Sequence, residues 1–140
     1  MKLVWLALRL MALGLLLCMF GCGGSKGETD PDTRKTYTLQ YTCTNLEDTS
    51  VIFEATDVPT GVITGPLTTA SGASSNDSTQ GYYTTDAHTS VLVVVFDSSH
   101  RELTRIRQDG VNVGEGLITT VKVTYDGTQV KMVTTGSGHH

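Results

Sequence analysis

The sequence is poor in whatever would staple a fold or mark a catalyst. Of its three cysteines, Cys18 and Cys22 lie in the first 22 residues, so Cys43 is left alone and no internal disulfide can form downstream. Proline occurs three times and tryptophan once, at Trp5. After Cys22 no stretch repeats apolar residues at i, i+3, i+4 and i+7, which excludes amphipathic helices. No glycine-rich phosphate loop precedes a helix and no G-x-S-x-G elbow occurs, so nucleotide binding and elbow-type serine hydrolysis have no support. Basic residues are scarce too: once Lys2 and Arg9 are set aside, eight face 14 acidic residues, a net charge of −6. Such a domain has no electrostatic reason to seek nucleic acid.

What is present begins at the N-terminus. Lys2 and Arg9 flank a basic start, Leu10–Phe20 is an unbroken apolar run, and Gly21-Cys22 follows at once. That is the layout of a secretory signal peptide: a charged region, an apolar run of ~7–15 residues, then small residues. With a cysteine directly after the small residue, Met19-Phe20-Gly21-Cys22 resembles the lipobox of a bacterial lipoprotein, although Phe20 is bulkier than that pattern prefers. The resemblance implies that residues 1–21 are removed and that Cys22 becomes the lipidated first residue. It also implies a membrane partner through that lipid and an extracytoplasmic place in the cell envelope. Gly23, rather than Asp, after the cysteine points to the outer membrane where there are two. Ordinary cleavage near Gly21–Gly24, giving a secreted soluble domain, is one alternative. An uncleaved anchor over Leu3–Phe20, the ~18 residues of a marginal span, is another. Residues 22–34 read as the lipidated cysteine and a polar linker with nothing to bury; residues 136–140 read as a polar tail.

Between these lies a period of two. Tyr37, Leu39, Tyr41 and Cys43 alternate with Thr36, Thr38, Gln40, Thr42 and Thr44, the mark of a strand with one buried face, which sends the Cys43 thiol inward. Val51–Thr56 alternates likewise. Ile63–Leu67 and Tyr82–Thr85 are weaker candidates, and Val91–Phe96 (VLVVVF) reads as a central strand covered on both faces. Asp97–His100 is turn chemistry with Glu102–Arg107 as the returning partner, and Asp109-Gly110 and Gly114–Gly116 read as breaks. Asp126-Gly127 reads as a two-residue hairpin turn, pairing Val123 with Val130, Lys122 with Lys131 and Val121 with Met132. The expected fold is all-β: one antiparallel sandwich of seven to eight strands over residues 35–135, with a small closed barrel as the alternative. In size and Thr/Val-rich strands it resembles bacterial immunoglobulin-like or transthyretin-like domains. The Cys…Trp…Cys signature of antibody domains is missing.

Thr68–Gly81 (TTASGASSNDSTQG) is the longest turn-rich stretch and reads as a surface loop, with Tyr82 and Tyr83 at its end as a candidate binding loop. Asn76-Asp77-Ser78 matches a glycosylation acceptor, a chance match beside a bacterial-type signal. Asp86 with His88, and Asp97 with His100, could supply carboxylates and imidazoles to a metal, and Ser90, Ser98 or Ser99 could join those histidines in a hydrolase. The turn already accounts for Asp97–Ser99, and nothing in the sequence brings the two pairs together. Arg101, Arg105 and Arg107 would share one strand face, offset by Glu102 and Asp109. The expected function is a binding or structural module for envelope proteins or polysaccharide, without catalysis, cofactor or metal. A small metal-dependent or hydrolytic enzyme around His88 and His100 is the alternative.

Overall fold

The computed structural model describes residues 33–136. The segment read as a signal peptide, Cys22, the expected linker up to residue 32 and residues 137–140 lie outside them. Eight strands follow one another: β1 Lys35–Asn45, β2 Val51–Asp57, β3 Val62–Thr69, β4 Ser74–Tyr83, β5 His88–Phe96, β6 Glu102–Asn112, β7 Ile118–Tyr125 and β8 Val130–Gly136. They form two four-stranded sheets, β4-β1-β7-β8 and β3-β2-β5-β6, with a single apolar core drawn from both. This is a sandwich with open edges, and not a closed barrel. Along one flank Thr69 Oγ1 donates to Ser75 Oγ at 2.9 Å, tying β3 to β4. Along the other, Gln108 Nε2 donates to Thr134 Oγ1 at 3.0 Å, tying β6 to β8.

Alternation builds the core as the sequence predicts. Leu39, Tyr41 and Cys43 on β1, Phe53 on β2, Val91, Val93 and Val95 on β5, and Val121 and Val123 on β7 are fully buried. Each Val or Leu so placed stabilises the fold by about 1.5–3 kcal/mol relative to an exposed one. Neighbouring strands run antiparallel except at the centre of the first sheet, where β1 and β7 are parallel, Cys43 standing opposite Val123. Lettered in chain order, the sheets read D-A-G-H and C-B-E-F. An immunoglobulin constant domain reads A-B-E-D and C-F-G, so this strand order is a different one.

Several local expectations change. Thr68–Gly81 is not a long loop: Ala70–Ala73 turns the chain, and β4 then pairs with β1 from Thr44–Ser74 to Lys35–Tyr83. Its alternation is invisible because β4 is an edge strand whose inward positions are Ser75, Asp77, Thr79, Gly81 and Tyr83, of which only Tyr83 packs on the core. Asp109-Gly110 does not end a strand. Thr89 pairs with Val111 and Val91 with Gln108, so the dipeptide is a bulge within β6, and Gly110 takes the positive φ of 66° that such a bulge asks of a glycine. In β5 only the inward valines are fully covered. Leu92, Val94 and Phe96 are half-exposed on the outer face, beside Arg107, Arg105 and Glu102 of β6.

The C-terminal hairpin keeps its faces but shifts its register by two. Tyr125 pairs with Val130, Val123 with Met132 and Lys122 with Val133, so Asp126–Gln129 make the connection and the two lysines do not face each other. The reason is Asp126 itself. Its Oδ1 accepts the N–H groups of Thr128 (2.9 Å) and Gln129 (2.8 Å), which lengthens the turn beyond two residues.

Candidate binding surfaces

The most closely packed polar group is one that sequence reading missed. Asp57 ends β2 in phase with Val51, Phe53 and Ala55, and its carboxylate is fully buried. Oδ2 accepts hydrogen bonds from Tyr37 Oη at 2.6 Å and Thr60 Oγ1 at 3.0 Å, and Oδ1 accepts one from Thr89 Oγ1 at 2.5 Å. Burial and this acceptor push the Tyr37 phenol far above its ordinary pKa. Gly81, opposite Tyr37 on β4, leaves room for the knot: a Cβ there would stand 2.6 Å from Asp57 Oδ2. Four hydroxyl and carboxyl groups therefore pin β1, β2, β5 and the β2–β3 turn together at one end of the sandwich. A carboxylate in phase with a core face was the available signal. Tyr41 also faces the core, and its hydroxyl has no hydrogen-bond partner among the described residues.

Tyr82 and Tyr83 do not form a binding loop. Both lie on β4, and as consecutive strand residues they point to opposite faces. Tyr83 packs on Tyr37, ring centroids 6.2 Å apart, against the core. Tyr82 is 49% exposed on the outer face, with the Arg34 guanidinium 4.9 Å from its ring centroid. The histidines do not meet either. His88 opens β5 and His100 sits in the turn after it, eight strand steps or about 26 Å away. Asp97 serves that turn: Oδ1 accepts the N–H groups of Ser99 and Arg101, and Oδ2 accepts the Arg101 guanidinium at 3.1 Å. Among the described residues no group of three or more His, Cys, Asp or Glu side chains is placed to share a metal ion.

The arginine cluster is neutralised from within. Arg101 pairs with Asp97, Arg105 with Glu102 at 2.6 Å and Arg107 with Asp109 at 2.8 Å, all on the surface. Hydrogen bonds from their partners hold Glu102 and Asp109 below the usual carboxylate range. The two lysines of the other sheet, Lys122 and Lys131, form no salt bridge among the described residues.

Those lysines stand on the outer face of β4-β1-β7-β8, whose chemistry is unusually uniform. Its central row runs Ser78, Gln40, Thr120, Thr135 across the four strands, and the next row runs Asn76, Thr42, Lys122, Val133. No outward position of this sheet carries a carboxylate, although 11 acidic residues fall within residues 33–136. The side-chain amides of Gln40, Gln80 and Asn76 make no hydrogen bond to other described residues. Tyr82 and Ile118, 49% and 45% exposed, add apolar surface at one end, and Val133, 58% exposed, adds more beside Lys122.

Cys43 is fully buried, and burial alone pushes its thiol from 9.0 to about 12. It is an inert core thiol, and thiol reagents should label it slowly in native protein and fast in denaturant. Rapid native labelling, or a disulfide-linked dimer on a non-reducing gel, would contradict that burial. The unfolded thiol ionises first as pH rises. The stability contributed by the neutral buried group is therefore whole below about pH 9 and is lost as pH climbs toward 12.

Comparison with known proteins finds no matching family model and no significantly similar curated protein.

Proposed function

We propose that the protein is a lipid-anchored module of a bacterial cell envelope, working by binding and not by catalysis. The observation that carries the reading is the Gly21-Cys22 junction directly after the apolar run Leu10–Phe20. The sandwich supports it in one respect: several of its charged groups serve structure, Asp57 in the core, Asp97 and Asp126 in turns, and Arg101, Arg105 and Arg107 in ion pairs. What the domain offers outward is side-chain chemistry on its sheet faces. Of the two architectural resemblances, the strand order favours the transthyretin-like one, because it departs from the immunoglobulin arrangement.

The chain enters β1 at the end where the Asp57 knot lies. The connections 46–50, 70–73, 97–101 and 126–129 all lie at the opposite end of the sandwich.

Two acyl chains on Cys22 give stable attachment where one is marginal, each buried CH₂ contributing about 0.8 kcal/mol. Cells expressing the protein should incorporate labelled fatty acid into it, and Cys22→Ser should abolish the label and move the protein to a soluble fraction. A wild-type protein that takes up no label and leaves the membrane in a salt wash would defeat the anchor. In-cell crosslinking then identifies what the anchored module touches.

A further inference from the structure

We infer that the outer face of the β4-β1-β7-β8 sheet is the ligand surface of this module, and that its ligand is an anionic polysaccharide. The inference rests on the binding reading above and names its face and its ligand chemistry.

Three properties meet on that face and on no other. Its central row presents neutral hydroxyls and amides, Ser78–Gln40–Thr120–Thr135, which can both donate to and accept from sugar hydroxyls. Gln40, Gln80 and Asn76 leave their amides unused by the described residues. It is also positive within a negative domain. Lys122 and Lys131 point outward and Arg34 lies over Tyr82; no carboxylate shares the outward positions, although Asp126 in the adjoining turn feels the charge of Lys131. The opposite sheet carries arginines too, but each is closed by a carboxylate of its own strand or turn. Finally, Tyr82, half-exposed beneath the Arg34 guanidinium, sets an amphipathic aromatic group beside a cation at the edge of the face.

These parts lie along a diagonal. Tyr82 and Lys122 are separated by two strands and three rows, about 22 Å, the span of a short oligosaccharide. Charge complementarity selects the ligand class. A neutral glycan would leave Lys122 and Lys131 without a role, and an acidic protein would have little to gain from a grid of threonine hydroxyls. Uronate carboxylates, or phosphates on a glycan, would meet the lysines while the sugar hydroxyls meet the rows between.

The test is affinity electrophoresis of the full-length protein in non-ionic detergent, through gels containing polygalacturonate or neutral dextran. Polygalacturonate should retard the wild type, dextran should not, and added salt should weaken the retardation. Lys122→Glu with Lys131→Glu should weaken binding about tenfold or more, and Tyr82→Ala several-fold, as loss of surface charge and of an aromatic group do. Both positions are exposed, so unchanged thermal midpoints will show that the variants fold. Arg105→Glu with Arg107→Glu on the opposite sheet should leave binding unchanged. Equal loss in that control, equal retardation by dextran, or no retardation by either polymer would overturn the inference. Crosslinking to an envelope protein with no polysaccharide binding would sink this face and ligand while leaving the binding module standing.

Discussion

Asp57→Ala should destabilise the domain by about 3–5 kcal/mol, a large part of the 5–15 kcal/mol that domains of this size possess. The substitution removes the acceptor of three hydroxyls; two of them, on Tyr37 and Thr89, are 2% and 3% exposed and keep only the long 3.3 Å bond from Tyr37 Oη to Thr89 Oγ1. A buried donor left unsatisfied costs about 1–3 kcal/mol. Relief of the desolvation of Asp57 itself offsets part of that sum. Tyr37→Phe, which removes one donor and keeps the ring on Tyr83, should lose about 1.5–3 kcal/mol. Gly81→Ala should be as severe as Asp57→Ala by a different route, forcing a methyl between Tyr37 and Asp57. Denaturant midpoints with constant slopes decide the matter. An Asp57→Ala protein within 0.5 kcal/mol of wild type would mean that the knot is peripheral to stability.

The knot also shows where the sequence is readable. Alternation is a local signal, and it located β1, β2, β5 and β7 and the inward side of each, Cys43 included, because those strands sit inside their sheets with one face on the core. It failed at β4, whose inward positions are Ser, Asp, Thr and Gly. That strand exists through backbone pairing with β1, a partner 30 to 48 residues away that leaves no trace in its own composition. The parallel β1–β7 pair and the meeting of Asp57 with Tyr37 and Thr89 are likewise long-range facts, fixed only when the sheets stack. The binding face was half legible. The polar phase of β1, Thr36 to Thr44, was plain, but its continuation across Asn76, Ser78 and Gln80 required the register of a strand that read as a loop.

Val123→Asp should destabilise the domain by several kcal/mol, while Thr124→Asp, one residue along, should change stability by about 0.5 kcal/mol or less. Val123 is fully buried between Cys43 and Met132 on its neighbouring strands, so an aspartate there has neither water nor a cation. Thr124 points to the wet side, half-exposed, with Lys131 directly opposite to receive the new charge. Equal losses would mean that the hairpin is covered on both faces. Facing alone cannot separate the observed register from one with a two-residue turn, because the two differ by an even step that keeps every side chain on its face. A disulfide can. Thr124→Cys with Lys131→Cys places two thiols directly across the ladder, within the ~4.4–6.8 Å between Cα atoms that a disulfide accepts. Lys122→Cys with Lys131→Cys sets them on a diagonal of about 7–8 Å, beyond that reach. Mild oxidation should close the first pair and leave the second free, as read by mass spectrometry of the peptides. Closure of the second pair instead would restore the two-residue Asp126-Gly127 turn and remove the role given to the Asp126 carboxylate.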